Sequence, residues 1–149
     1  MPTVAALETE YATLIFAHFA ETEAWALGQK LVDLAGTAPV VINIRSADRM
    51  LFHAALPGSA PLNDVWARRK SNTALLFQLP SFLVGLRHKA NGCSLAGHGL
   101  SEADYAEHGG AVPIQVVGVG VVACATVSGL PQADDHALVV AAMQAVLAG

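Results

Sequence analysis

Fifteen residues, "PIQVVGVGVVACATV" from Pro113 to Val127, constrain this chain more than any others. Pro113–Val117 and Val121–Val127 are β-leaning runs, and Gly118 and Gly120 between them supply the positive φ that a tight turn demands. The hairpin is apolar along its whole length, so both of its sides need cover. A second hairpin is written into "VVINIRSADRMLFHAAL", with strands at Val41–Arg45 and Met50–Leu56 and a turn at Ser46, Ala47 and Asp48.

The remaining segments supply the cover. Residues 3–12 read as a short helix with Glu8 and Glu10 exposed, and Thr13–Phe19 as a β-leaning run. "ETEAWALGQKLVDLAG" is an amphipathic helix with Ala24, Leu27, Leu31 and Leu34 on one face and Gly36 at its end. A further helix starts near Asn63 or Asp64, both good N-caps. "PSFLVGLRHKANG" reads as a short helix with an exposed basic tail, which includes His88. "SEADYAEHGG" reads as a helical turn capped by Ser101 and stopped by Gly109–Gly110. Pro131, Asp134 and Asp135 open a last helix that carries His136, Val139, Val140, Met143, Val146 and Leu147 on one face.

Two hairpins separated by helices cannot form an all-parallel sheet. The expected class is therefore α/β (α+β), a three-layer α-β-α sandwich on a mostly antiparallel sheet, as one domain over residues 1–149.

Composition narrows the function classes. Hydrophobic residues make up 54% of the chain and charged residues 13%, against about 25% charged in typical globular domains. The uncharged runs contain proline and glycine and fall short of the roughly 20 helical apolar residues of a membrane span. "MPTVAALETEYATL" has no basic n-region. The expectation is a cytoplasmic chain, in contact with no membrane, that covers its excess apolar surface by homo-oligomerisation.

Residues 1–29, 30–89 and 90–149 carry net charges of −4, +5 and −5. An acidic final third does not suit a nucleic-acid binder, whereas the basic centre suits a carboxylate, a phosphate or an acidic patch on a neighbouring subunit. Cys124, within an apolar strand, reads as a small buried residue, and Cys93 as the accessible thiol.

Several polar groups are candidates for chemistry. Trp66, Arg69 and Lys70 stand at i, i+3 and i+4 on one helix, so both basic heads can share the indole face, or they can simply be solvated. The six histidines show neither helical i,i+4 pairing nor His-x-Glu, which leaves a dedicated zinc site without support. His18 and His53 lie in strand-like runs, each a core histidine or a single axial ligand. His136, near a helix N-terminus, favours the neutral imidazole. His108 precedes two glycines that let backbone approach a ligand. A Ser128–His136–Asp135 triad is disfavoured, because adjacent Asp and His project about 100° apart on a helix.

The combination "WARRK…DYAEHGGAVPIQVVGVGVV…VSGLPQADDHALVV" resembles the haem-degrading domain family, and within it the branch of uncharacterised proteins, from about Glu21 to Leu147. The resemblance implies a profilin-like α-β-α sandwich, symmetric homo-oligomers and tetrapyrrole binding. It places the motif on Trp66, Arg69, Lys70, Tyr105, His108, Gly109, Gly110, Ser128, Gly129, Asp135 and His136. Two positions depart from the family pattern: Pro80–Ser81 replaces a Ser-Ser pair, and Asn43 replaces an aspartate, which weakens acid–base catalysis there.

The leading expectation is a homo-oligomeric binding protein for haem or a related anionic planar ligand. Arg69 or Lys70 would pair with a propionate, Trp66 would cover an apolar face, and His108 or His136 would be an axial ligand. The rivals are a structural or adaptor oligomer without a small ligand, and an enzyme acting on a carboxylate substrate.

Overall fold

The computed structural model describes all of residues 1–149. In chain order the elements are α1 (Val4–Ala12), β1 (Ile15–Phe16), α2 (Glu21–Ala35), β2 (Val41–Arg45), β3 (Met50–Ala55), α3 (Pro61–Phe77) and α4 (Ser81–Asn91). A 3-10 turn (Ala96–His98), β4 (Ala111–Val116), β5 (Gly120–Ser128) and α5 (Gln132–Ala148) complete the chain. The strands form one sheet in the order β1-β4-β5-β2-β3. Pairing is antiparallel except between β1 and β4, which run parallel. This is the mostly antiparallel α/β sandwich that the two hairpins imply.

The two faces of the sheet differ. One carries Ile42, Ile44, Val112, Ile114, Ala123, Ala125 and Val127, which join Leu27 and Leu31 of α2 and Val139, Val140 and Met143 of α5 in the main core. The other carries Ala111, Cys124, Thr126 and Ser128, small or polar and all buried, and α3 lies on it through Ala74. Small side chains on both partners let α3 sit close to the sheet. Burial pushes the Cys124 thiol up to about 12, so it behaves as the packing residue expected, while Cys93 is exposed. No helix is long and apolar enough to cross a membrane.

Four local readings need correction. Of Thr13–Phe19 only Ile15–Phe16 is strand, because the Thr13 hydroxyl and N–H both bond back to Glu10 and close α1. The helix expected from Asn63 or Asp64 begins at Pro61: proline fills the first turn, and Asn63 Oδ1 accepts the Ala60 N–H from inside the helix. "SEADYAEHGG" makes the expected turn, with the Ser101 carbonyl accepting the N–H groups of Asp104 and Tyr105 and its hydroxyl that of Ala103, but the turn ends well before Gly109. The chain then runs on to Gly109 without helix. His88 is buried rather than exposed, with Nδ1 on Glu107 and its ring between Phe77 and His98.

Pro113 sits inside β4, yet β1 reaches only Gln115 and Val116. Its flank is thus where a sheet tolerates a missing N–H.

Candidate functional site

Helix α3 sets the site through Lys70. Its stem runs under the helix toward the end of β5, and the residue is 3% exposed. An ammonium has three donors, and here each finds an oxygen. Gly109 O lies at 2.9 Å, Val127 O at 2.8 Å and Asp135 Oδ2 at 3.2 Å. Asp135, on the first turn of α5, is also nearly fully buried and accepts the N–H groups of Leu130 (3.0 Å) and Gly129 (3.3 Å). Burial pulls the Lys70 ammonium below the ordinary lysine value and pushes the Asp135 carboxyl above the ordinary aspartate value, each offset in part by the other. The pair is therefore an internal clamp that ties α3, the 109–110 segment, the end of β5 and the start of α5 together.

The two glycines fit this clamp. Gly110 has φ 136°, and a Cβ there would stand 2.4 Å from both Lys70 Nζ and Val127 O. Gly109 has no unusual φ, but a Cβ would lie 2.5 Å from Gln132 O. Its N–H is held by Gln132 Oε1 at 3.0 Å. Ser81, at the start of α4, donates to His108 O and accepts the Ala111 N–H, which pins the same segment from below.

Above the clamp lies an open cavity of about 240 Å³. Seven of the eleven motif residues line it: Trp66, Lys70, His108, Gly109, Ser128, Gly129 and Asp135. Gly110 lies just beneath, against Lys70 Nζ. Asn63, Leu130 and Gln132 complete the wall. Ser128 is 3% exposed and its hydroxyl has no partner within the protein. The Gln132 amide nitrogen and the Asn63 amide nitrogen are likewise uncommitted, since their oxygens hold Gly109 and Ala60.

The His108 imidazole stands at the rim, exposed, with no hydrogen bond or ion pair from the protein. It meets Trp66 edge-on at 5.2 Å. It borders two further clefts, of about 340 Å³ toward Lys89 and Cys93 and about 310 Å³ toward Arg69 and Tyr105. Arg69 lies over the Trp66 ring at 4.4 Å. Its one hydrogen bond is a long contact of 3.5 Å to Tyr105 O, and most of its five donors are unused.

Two expectations change here. Lys70 does not share the Trp66 face with Arg69: it turns inward, its charge is matched and its donors are spent, so it cannot reach a propionate. His136 is separated from His108. It is buried between α1 and α4, with Nε2 2.7 Å from Glu10 Oε1, its ring edge-on to Phe82 and a buried Nδ1 without a partner. It lines none of the clefts around His108 and is not placed to be an axial ligand. Tyr105 sits at the Arg69 cleft and not in the cavity over Lys70.

Asn63 and Gln132 escaped the sequence reading. Gln132 stands inside "SGLPQADDH", so its position was visible. Asn63 was visible only as a helix cap.

The family model described as haem-degrading protein HbpS-like matches residues 19–144. A UPF0303 protein of Streptomyces coelicolor is 50% identical over 146 residues, covering 96% of this chain and 92% of its own. One of Burkholderia thailandensis is 50% identical over 139 residues, covering 91% and 84%. Among solved structures, the Ybr137w protein is similar with a TM-score of 0.88 at 31% identity, covering 98% of this chain and 88% of that one. A PduOC–haem complex shares the fold, with a TM-score of 0.72 at 19% identity over 85% of this chain and 94% of that one.

Removing one half of a buried ion pair strands the other. Asp135→Ala should lower unfolding stability by about 3–5 kcal/mol, read from urea or thermal unfolding. A loss below about 1 kcal/mol would show that the pair is not the clamp described.

Proposed function

We propose, for a chain that belongs to the HbpS-like haem-degrading protein family, a homo-oligomeric protein that binds haem or a related anionic planar ligand at His108. The observation that carries this reading is the unpartnered His108 imidazole, set at the meeting of three clefts beside Trp66 and Arg69. An exposed imidazole with no protein partner is a ready metal ligand. Arg69 has planar, unspent donors that suit a carboxylate, and it is backed by an indole. Each cleft is near or below the lower end of the roughly 300–1,000 Å³ typical of small-ligand pockets. A macrocycle would therefore span more than one cleft, with the His108 side chain between them. Bound haem would supply its iron chemistry; the protein would supply one axial imidazole, an aromatic wall and a counter-charge.

Self-association has separate support. β3 is an edge strand, Met50 on it is exposed, and Trp25 on α2 is 56% exposed while touching Phe52 of the same strand edge-on at 5.3 Å. Large apolar groups beside an open sheet edge suit a second copy of the chain.

Titration of the purified protein with hemin should give a Soret shift that His108→Ala removes and Arg69→Ala weakens, while a folded His136→Ala variant keeps it. No shift in the unaltered protein, or one indifferent to His108, would overturn the haem reading. Sedimentation should give a mass above the 15.4 kDa monomer, reduced by Trp25→Glu combined with Met50→Glu. A monomeric unaltered protein would overturn the oligomer.

A further inference from the structure

The cavity over Lys70 has a chemistry of its own that the Arg69 cleft, which shares Trp66 and His108 with it, does not supply. Its wall presents three uncommitted donors: the Ser128 hydroxyl and the amide nitrogens of Asn63 and Gln132. Ser128 is the most informative of them. The residue is 3% exposed and lines the cavity, and its hydroxyl, which bonds to no protein group, is left open to a guest there. Gln132 is also the first residue of α5, and that end of a helix carries unpaired N–H groups and partial positive charge.

The charges in the floor cancel. Lys70 is matched by Asp135: the lysine has spent all three donors, and the carboxylate accepts three hydrogen bonds. What remains in the wall is a set of neutral donors beside the first turn of α5, whose other acid, Asp134, is exposed and does not line the cavity. The set can receive one negative charge shared by two oxygens, but holds no free cation to offset a dianion. The other walls are apolar, formed by Trp66 and Leu130. About 240 Å³ limits the guest to a few heavy atoms beyond its charged end.

We propose that this cavity binds a small monocarboxylate, with its oxygens on Ser128 Oγ and the amide groups of Asn63 and Gln132 and its short carbon end against Trp66 and Leu130. The site needs no haem and goes beyond the His108 reading: His108 stands at its rim, but none of the three donors belongs to the Arg69 cleft.

The test uses the full chain, haem-free and 15N-labelled, titrated with sodium acetate and sodium butyrate, with chloride and inorganic phosphate as controls at matched ionic strength. Acetate should give saturable amide shifts at Gly129, Leu130 and Gln132. Butyrate should bind about tenfold tighter than acetate, since two further methylenes leave water. Ser128→Ala should weaken butyrate about tenfold, the worth of a hydrogen bond to a charged group. Asn63→Asp keeps the oxygen that holds Ala60 but replaces the donor with a negative charge, so it should abolish binding while leaving the fold intact. Equal shifts from chloride, binding of phosphate but not butyrate, or butyrate affinity unchanged in Asn63→Asp and Ser128→Ala would each overturn the proposal. Failure of the hemin titration would leave these results untouched.

Discussion

A lysine and an aspartate, each about 97–98% out of solvent, hold the functional end of this molecule together. Taking two charges from water costs several kcal/mol per ion, and mutual attraction offsets that only when the remaining donors and acceptors are also satisfied. Here they are. Lys70 Nζ gives its protons to Gly109, Val127 and Asp135, and Asp135 collects Leu130 and Gly129. The geometry around the pair follows from this demand. The chain before β4 must present a carbonyl, hence Gly109–Gly110 with no Cβ in the way. The chain after β5 must turn the Gly129 and Leu130 N–H groups inward, hence the short link of residues 129–131 to α5.

The asymmetric sheet makes room for the clamp. On the face toward α2 and α5, large aliphatic side chains fill the main core. On the face toward α3, small and hydroxyl-bearing residues bring the helix close, and a long lysine can lie between helix and sheet without displacing packing. One face supplies stability and the other supplies a polar floor. The cavity opens where that second face runs out, at Ser128. Catalysis by a Ser–His–Asp relay is incompatible with this arrangement: Asp135 is committed to Lys70 and the loop, and His136 to Glu10.

The hairpins, most helices and the sandwich were legible because they rest on local patterns: the apolar β-leaning runs around Gly118 and Gly120, the apolar face of α2, which holds at Ala24, Leu27 and Leu31 although Leu34 is exposed, and the proline and acids that open α5. The parallel β1–β4 pairing was not legible, since a two-residue strand carries no periodicity. The segments "EHGG" and "SGLPQADDH", which local pattern marks only as a stop and a helix start, both line the cavity over Lys70. The direction of each side chain was not available from spacing. Arg69 and Lys70 are neighbours on α3 and diverge completely, one stacked outside on Trp66 and the other buried. Asp135 and His136 diverge in the same way on α5. His88 looked solvated in a basic tail because its partner, Glu107, lies far along the chain.

The central claim is that the Lys70–Asp135 pair organises the segments that border the cavity. Amide hydrogen exchange in Lys70→Met tests it most directly, because methionine fills the stem's volume and removes only the charge and its donors. Exchange at Gly129 and Leu130, whose N–H groups rest on Asp135, should accelerate by about tenfold or more, the worth of a charge-assisted hydrogen bond. The β2–β3 hairpin amides should keep their protection. A uniform acceleration across the sheet, or unchanged exchange at Gly129 and Leu130, would contradict the account.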